Sequence, residues 1–177
     1  RRSGTPSPVR AAHDDVGAMK IEPRATCDVC DDNDDALPLA PELRHFGKRR
    51  MFAGTVVTVQ CHEDNSRVKE LVAQAGDDRV LVVDGGGSLR TALLGDMLAT
   101  SAAKNGWAGL VVDGCVRDAA VLATLDIGIM ARAAMPKKSR KDEEGQVDVP
   151  IDVAGVRVHA GDTLYADDDG VVIVRRG

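Results

Sequence analysis

Asp96 and the adjacent pair Arg117-Asp118 stand twenty residues apart, and their types suit one chemistry. Two carboxylates can hold a hard divalent cation, directly or through its waters, as Mg²⁺ prefers at roughly 2.1 Å. The Arg117 guanidinium offers a planar fork to a carboxylate or an enolate oxygen. The backbone N–H groups of Gly95, Asp96, Met97 and Leu98, at the positive end of an expected helix, would hold a second anionic group. Together these describe a site for a small α-keto acid whose enolate must be stabilised, and nothing among them is a nucleophile. The same residues also read as helix furniture. Asp is a common N-cap, Asp96 and Asp118 each open an expected helix, and Arg117 can pair on the surface. Spacing alone favours that plainer reading.

The gap between the two ends has to hold one helix and one strand. Gly95-Asp96 start a helix that runs to about Lys104 and stops at Asn105-Gly106. Trp107 to Asp113 is a buried strand, and Asp118 opens a further helix through Leu122 and Thr124. A helix followed by a parallel strand returns the chain to the same edge of a sheet. The two helix starts can therefore be neighbours at the carboxyl ends of strands, where α/β sheets keep their ligand crevice.

Around this centre the pattern is α/β. A short helix is expected from Cys27 to Asp34, then a Pro-punctuated connection through Pro38 and Pro41 to Gly47. Phe52 to His62 is β-branched and reads as a strand, and Asn65 to Ala75 places Val68, Leu71 and Val72 on one helical face. Arg79 to Asp84 is a continuous apolar run, as for a strand covered on both faces, and ends in the turn Gly85-Gly86-Gly87. Leu89 to Leu94 is extended, Ile127 to Ala134 is a further strand, and Lys137 to Gly145 is a charged loop expected to be mobile. Val147 to Val174 alternates apolar and polar residues around turn dipeptides, the mark of antiparallel hairpins. The total is a parallel central sheet with an antiparallel β appendage.

Composition removes several classes of function. The 177 residues, 44% of them apolar, suffice for one domain with a sizeable core. Lys and Arg number 23 against 28 Asp and Glu, for a net charge of −5, which argues against direct nucleic-acid binding through phosphates. Aromatic residues make up only 2%, too few for a base-stacking platform. No apolar run approaches the ~18 residues of a membrane span, so no membrane partner is expected. Four scattered cysteines do not make a disulfide framework, which points to a reducing, cytoplasmic setting. Residues 1–25 read as a flexible N-terminal extension without apolar period; its basic start resembles organelle targeting, but its acidic residues count against that. The sequence opens on Arg1, so the true start is expected to be missing or processed.

The segments HFGKRRMFAGTVVTV, CHEDNSRVKELV, RVLVVDGGGSLRTALLGDMLA, NGWAGLVVDGCVRDAAVL, LDIGIMA and GDTLYADDDGVVIV, in this order, resemble the RraA-like family from about Thr26 to Val174. That family takes its name from a regulator of ribonuclease activity and includes 4-hydroxy-4-methyl-2-oxoglutarate aldolases. The resemblance implies a swivelling β/β/α domain and a homotrimer with active sites between subunits. Its aldolase branch is marked by an Asp, twenty residues, then Arg-Asp, and Asp96, Arg117 and Asp118 match position for position. By that carry-over Asp118 would ligate Mg²⁺ or Mn²⁺ directly, and Asp96 would hold it through a water. Arg117 would stabilise the pyruvate enolate, and the backbone from Gly95 through Met97 to Leu98 would cradle the substrate. The implied reactions are retro-aldol cleavage of 4-hydroxy-4-methyl-2-oxoglutarate to two pyruvates and decarboxylation of oxaloacetate, which share the enolate. The matched segments offer no His or Glu as base for the C4 hydroxyl, so a water on the cation is expected in that role. Larger dedicated aldolases carry a further C-terminal segment, and its absence before Gly177 would weigh on the aldol reaction more than on the decarboxylation.

The resemblance implies a competing role, since some members bind and inhibit a ribonuclease by protein contact. Those regulators typically depart from the Asp and Arg-Asp pattern that this chain keeps. An older methyltransferase label in the family finds no support, because position 90, where a dinucleotide fingerprint needs its third Gly, is Arg. Other signals read as structural. Cys27 and Cys30 have no second pair at zinc spacing, and Asp31 to Glu42 mimics a calcium loop but carries Ala36 where the turn Gly belongs. Asp167-Asp168-Asp169-Gly170 reads as a hairpin turn, and His13, His45, His62 and His159 as solvated or capping residues.

Overall fold

A computed structural model describes residues 19–177, so residues 1–18 of the expected extension lie outside the described residues. The elements in chain order are α1 (Thr26–Asp32), β1 (Leu37–Pro38), β2 (Arg44–His45), β3 (Phe52–Gln60), α2 (Ser66–Val72), β4 (Val80–Asp84), β5 (Ala92–Leu94) and α3 (Asp96–Lys104). There follow β6 (Gly109–Val116), α4 (Ala119–Leu122), β7 (Gly128–Ala134), β8 (Gln146–Val147), β9 (Ile151–Val153), β10 (Val156–Val158), β11 (Thr163–Asp167) and β12 (Gly170–Val174).

One mixed sheet runs in the order β1-β12-β11-β3-β4-β6-β7-β2, with β5 against β6 and β8 against β3; β9 and β10 form a separate hairpin. The centre from β3 to β7 is parallel, and β11 joins it antiparallel along the first half of β3, Phe52 to Thr55. The two outer strands, β1 and β2, are neighbours in the chain, and the sheet curls so that His45 on β2 meets the Asp167 carbonyl on β11 at 2.6 Å.

Alternation along the parallel strands produces two cores. Val57, Val59, Leu81, Val83, Leu110 and Val112 face the layer of α2, α3 and α4. Val56, Val80, Val82 and Val111 face the inside of the curl, with Phe52, Ile151, Leu164 and Ile173. Both faces of β4 and β6 are thus covered, which is why their sequences are unbroken apolar runs rather than alternating ones. The aromatic share is so small that Phe52 fills the curl almost alone: Cβ atoms on Gly109 and Gly128 would lie 2.5 and 2.2 Å from its ring.

Four local expectations change. Strand β6 continues past Asp113 to Val116, because Cys115 and Val116 find ladder partners in β5 and β7 beyond an irregularity after Val112. The helix expected from Asp118 to Thr124 is one turn, Ala119–Leu122. The two-residue strands β1, β2 and β8 fall in stretches read as connections; Pro38 is tolerated because β1 is an edge. The charged segment Lys137 to Gly145, expected to be mobile, is pinned. Asp142 N–H donates to the buried Asp64 carboxylate at 2.6 Å, Glu143 N–H to Ser66 Oγ at 3.0 Å, and Arg140 N–H to the Glu63 carbonyl at 2.8 Å.

Candidate active site

The predicted trio is assembled by β5, the end of β6 and the entries of α3 and α4. Arg117 N–H donates to the Leu94 carbonyl at 2.9 Å, which fixes the residue after β6 beside the residue before Gly95. One step further along both chains, Asp96 N–H donates to Asp118 Oδ2 at 3.1 Å. Arg117 Nε lies 3.8 Å from the same oxygen. Asp96 folds back on its own turn, its Oδ1 accepting from Met97 N–H at 2.8 Å. Twenty residues of intervening chain have closed into a loop whose ends touch.

The capping alternative does not describe this geometry. Gly95, not Asp96, is the N-cap of α3, and neither α3 nor α4 has a side-chain cap bond at its N-cap. Asp118 does occupy the N-cap position of α4, yet its carboxylate reaches across to α3. To do so it takes a left-handed backbone, φ 58° and ψ 40°, where a residue with a side chain is uncommon and such strain collects at functional sites. Asp118 Oδ1 has no hydrogen bond among the described residues, so it is presented to solvent.

Of the four N–H groups proposed as a cradle, two are engaged within the cluster: Asp96 gives its own to Asp118, and Met97 to Asp96. Gly95 and Leu98 keep theirs for a ligand, Leu98 because a first-turn N–H has no carbonyl four residues back. The side chains of Met97, 81% exposed, and Val121, 44% exposed, flank the carboxylates as apolar surface.

A divalent cation fits this donor set. Among the described residues no three His, Cys, Asp or Glu side chains gather around one point, so the cluster offers two carboxylates and no nitrogen or sulfur. That matches a hard ion that keeps most of its waters, such as Mg²⁺ or Mn²⁺, and not the three or four N/S ligands of zinc.

Further polar groups at the strand ends carried no local signal. Arg132 on β7 is bound between Asp113 on β6 and Glu42, the latter at 2.7 Å, and these carboxylates hold its guanidinium above the usual range. Arg90 and Ser88 hold Glu63 below the usual carboxylate range, at 2.6 and 2.8 Å. Each is read only once Glu63, Asp113 and Arg132 are known to share one end of the sheet. The Gly85-Gly86-Gly87 segment is a tight turn, with Gly86 and Gly87 at φ 66° and 69° and the N–H groups of Gly85 and Gly87 on the Asp113 carbonyl. His45 is no solvated residue: its side chain is 5% exposed and its ring ties β2 to β11. A cavity of about 260 Å³ beside it, lined by Leu39, Leu43, Met130, Asp168 and Val171, shares no residue with the Asp96, Arg117 and Asp118 cluster. All four cysteines are free, and burial pushes the Cys61 thiol up to about 12.

With that geometry in place, comparison with known proteins gives consistent results. The RraA-like family profile, described as Aldolase/RraA, matches residues 26–173. A protein of Alkalilimnicola ehrlichii named "Putative 4-hydroxy-4-methyl-2-oxoglutarate aldolase" is 54% identical over 151 residues, covering 85% of this chain and 94% of its own. Among solved structures, the RNA-processing inhibitor RraA from Thermus thermophilis superimposes with a TM-score of 0.84 at 47% identity, over 85% of this chain and 92% of that one. A structure from Geobacillus kaustophilus, described as an S-adenosylmethionine:2-dimethylmenaquinone methyltransferase, gives 0.85 at 41% identity, over 87% and 96%.

Proposed function

The chain belongs to the RraA-like family, and from that premise we propose that it is a divalent-metal-dependent lyase acting on small α-keto acids through a pyruvate enolate. The observation that carries this reading is the contact of Asp96 with Asp118 beside Arg117, held by the bond from Arg117 N–H to Leu94. Relatives named as aldolases at 50–54% identity support a lyase.

In this reading Asp118 Oδ1 faces the cation and Asp96 holds it through water; once bound, the cation supplies positive charge beside the keto oxygen. The free N–H groups of Gly95 and Leu98 receive the keto-acid carboxylate at the positive end of α3. Arg117 places its fork on the oxygen where negative charge develops. In 4-hydroxy-4-methyl-2-oxoglutarate the C3–C4 bond breaks and its electron pair passes into the C2 enolate. The C4 hydroxyl loses its proton to a water oriented by Asp96, C4 leaves as the keto carbon of one pyruvate, and protonation of C3 gives the other. Oxaloacetate breaks the corresponding bond and loses CO₂, leaving the same enolate.

The cluster lies open on the single chain with Met97 and Val121 exposed beside it, which supports a homotrimer in which a second subunit covers the cleft. Among the described residues no helix is long and apolar enough to cross a membrane, and we place the protein in the cytoplasm. A second reading, a non-catalytic regulator that binds a ribonuclease, is favoured by the likeness to the Thermus RNA-processing inhibitor.

The deciding experiment measures pyruvate release from both substrates with Mg²⁺ and with EDTA, with Asp118→Ala as control for free-metal background. EDTA-sensitive release that the variant lacks is the expected result. Release from neither substrate transfers the assignment to the regulator.

A further inference from the structure

Gly95 precedes α3 with φ −133° and ψ −169°, an extended conformation open to any amino acid, so the backbone does not demand glycine there. Space does. A Cβ on Gly95 would stand 2.8 Å from Asp118 Oδ2, 3.2 Å from Arg117 Cγ and 3.3 Å from Arg117 Nε. All three atoms belong to the two side chains of the candidate site. Elsewhere in the chain a comparable intrusion meets the fold itself: at Gly47 the Ile127 carbonyl at 2.2 Å, at Gly54 the Asp78 carbonyl at 2.5 Å, at Gly76 the Trp107 backbone at 2.5 Å. A side chain at Gly95 would instead displace a carboxylate and a guanidinium at the protein surface, which can swing away at little cost to packing.

We infer that Gly95 is a positioning residue: its missing Cβ is the space that seats the Asp118 carboxylate against Asp96 N–H, with Oδ2 engaged and Oδ1 turned outward, and keeps Arg117 beside it. This role is separate from any contact made by the Gly95 N–H, because Gly95→Ala keeps that N–H and removes only the space. The inference rests on the proposed reading of Asp118 as a cation ligand.

Two consequences separate it from a packing role. Gly95→Ala should weaken cation binding by about tenfold or more, as displacement of a ligand's supporting shell does. It should leave the thermal midpoint unchanged or raise it slightly, because alanine in a compatible conformation restricts the unfolded chain. The test compares wild type, Gly95→Ala and Asp118→Ala without substrate, titrating Mn²⁺ by electron paramagnetic resonance and recording unfolding by calorimetry. The expected pattern is Mn²⁺ bound by wild type, bound at least about tenfold more weakly by Gly95→Ala with an undiminished midpoint, and not bound at that site by Asp118→Ala. Wild-type affinity in Gly95→Ala, with binding lost in Asp118→Ala, overturns the inference and leaves the metal reading intact. A midpoint lowered by more than about 5 °C also overturns it, since that is the scale of a lost packing contact. A wild-type protein that binds no Mn²⁺ overturns the metal reading and the inference with it.

Discussion

Two pairs of aspartates in this chain have opposite surroundings. Asp64 is fully buried, its Oδ1 accepting from Ser66 N–H at 2.9 Å and its Oδ2 from Asp142 N–H at 2.6 Å. Asp167 is 8% exposed and accepts from the N–H and hydroxyl of Thr26, both at 2.7 Å, and from Asp169 N–H at 2.9 Å. Each ties distant segments together, Asp64 the charged loop to α2 and Asp167 the start of α1 to the β11–β12 turn. Asp96 and Asp118 are half-buried and exposed, and each has one hydrogen bond, with oxygens to spare. The difference assigns work by coordination: a carboxylate saturated with N–H donors holds the fold, and one left with an open oxygen on a strained backbone is available to a ligand.

Removing the open carboxylate tests that division most severely. Asp118→Ala should abolish metal-dependent pyruvate release while the calorimetric midpoint stays within a few degrees of wild type, since the variant removes one exposed hydrogen bond. A collapse of stability in this variant would erase the contrast with Asp64. Arg117→Ala comes next, lowering turnover by about 10² if it stabilises developing enolate charge. Its loss should appear in kcat more than in KM, because the charge exists only in the transition state. The mirror experiment is Asp64→Ala, which leaves buried N–H groups of Ser66 and Asp142 without an acceptor. It should cost about 2–4 kcal/mol in denaturant unfolding and leave turnover per folded molecule unchanged. Lost turnover in a stable Asp64→Ala protein would show that the two regions are not separable.

The two regions also differ in how far the sequence reveals them. The site was legible because Asp96 and Arg117-Asp118 bound one helix and one strand, so regular local patterns place their ends together. The central strands β4 and β6 were legible because burial on both faces writes itself as a continuous apolar run. What escaped is held by partners distant in sequence. Asp142 meets Asp64 across 78 residues, Thr26 meets Asp167 across 141, and neither bond leaves a local pattern. The same holds for β1, β2 and β8, two-residue strands that exist only because β12, β7 and β3 offer an edge. The end of β6 was misplaced because Gly114-Cys115 reads as a turn until β5 and β7 are known to flank it.

Acid sharpens the comparison with the smallest effect. Burial alone would raise the Asp64 and Asp167 carboxyls, but hydrogen bonds from Ser66 and the Asp142 and Glu144 backbone, and from Thr26, Asp169 and Gly170, bring both below the ordinary aspartate value. A carboxyl lowered in the folded state binds a proton more readily in the unfolded chain. Its contribution is therefore complete above the unfolded value of about 3.9 and is lost as pH falls through the lowered one. Wild-type stability should accordingly decline with a positive slope against pH below about 4. Asp64→Asn and Asp167→Asn, each less stable at pH 7, should show a shallower decline and approach wild type near pH 2, measured by urea unfolding across that range. Parallel curves would mean that these two carboxylates are satisfied without being charged, and that the division between holding and binding aspartates rests on geometry alone.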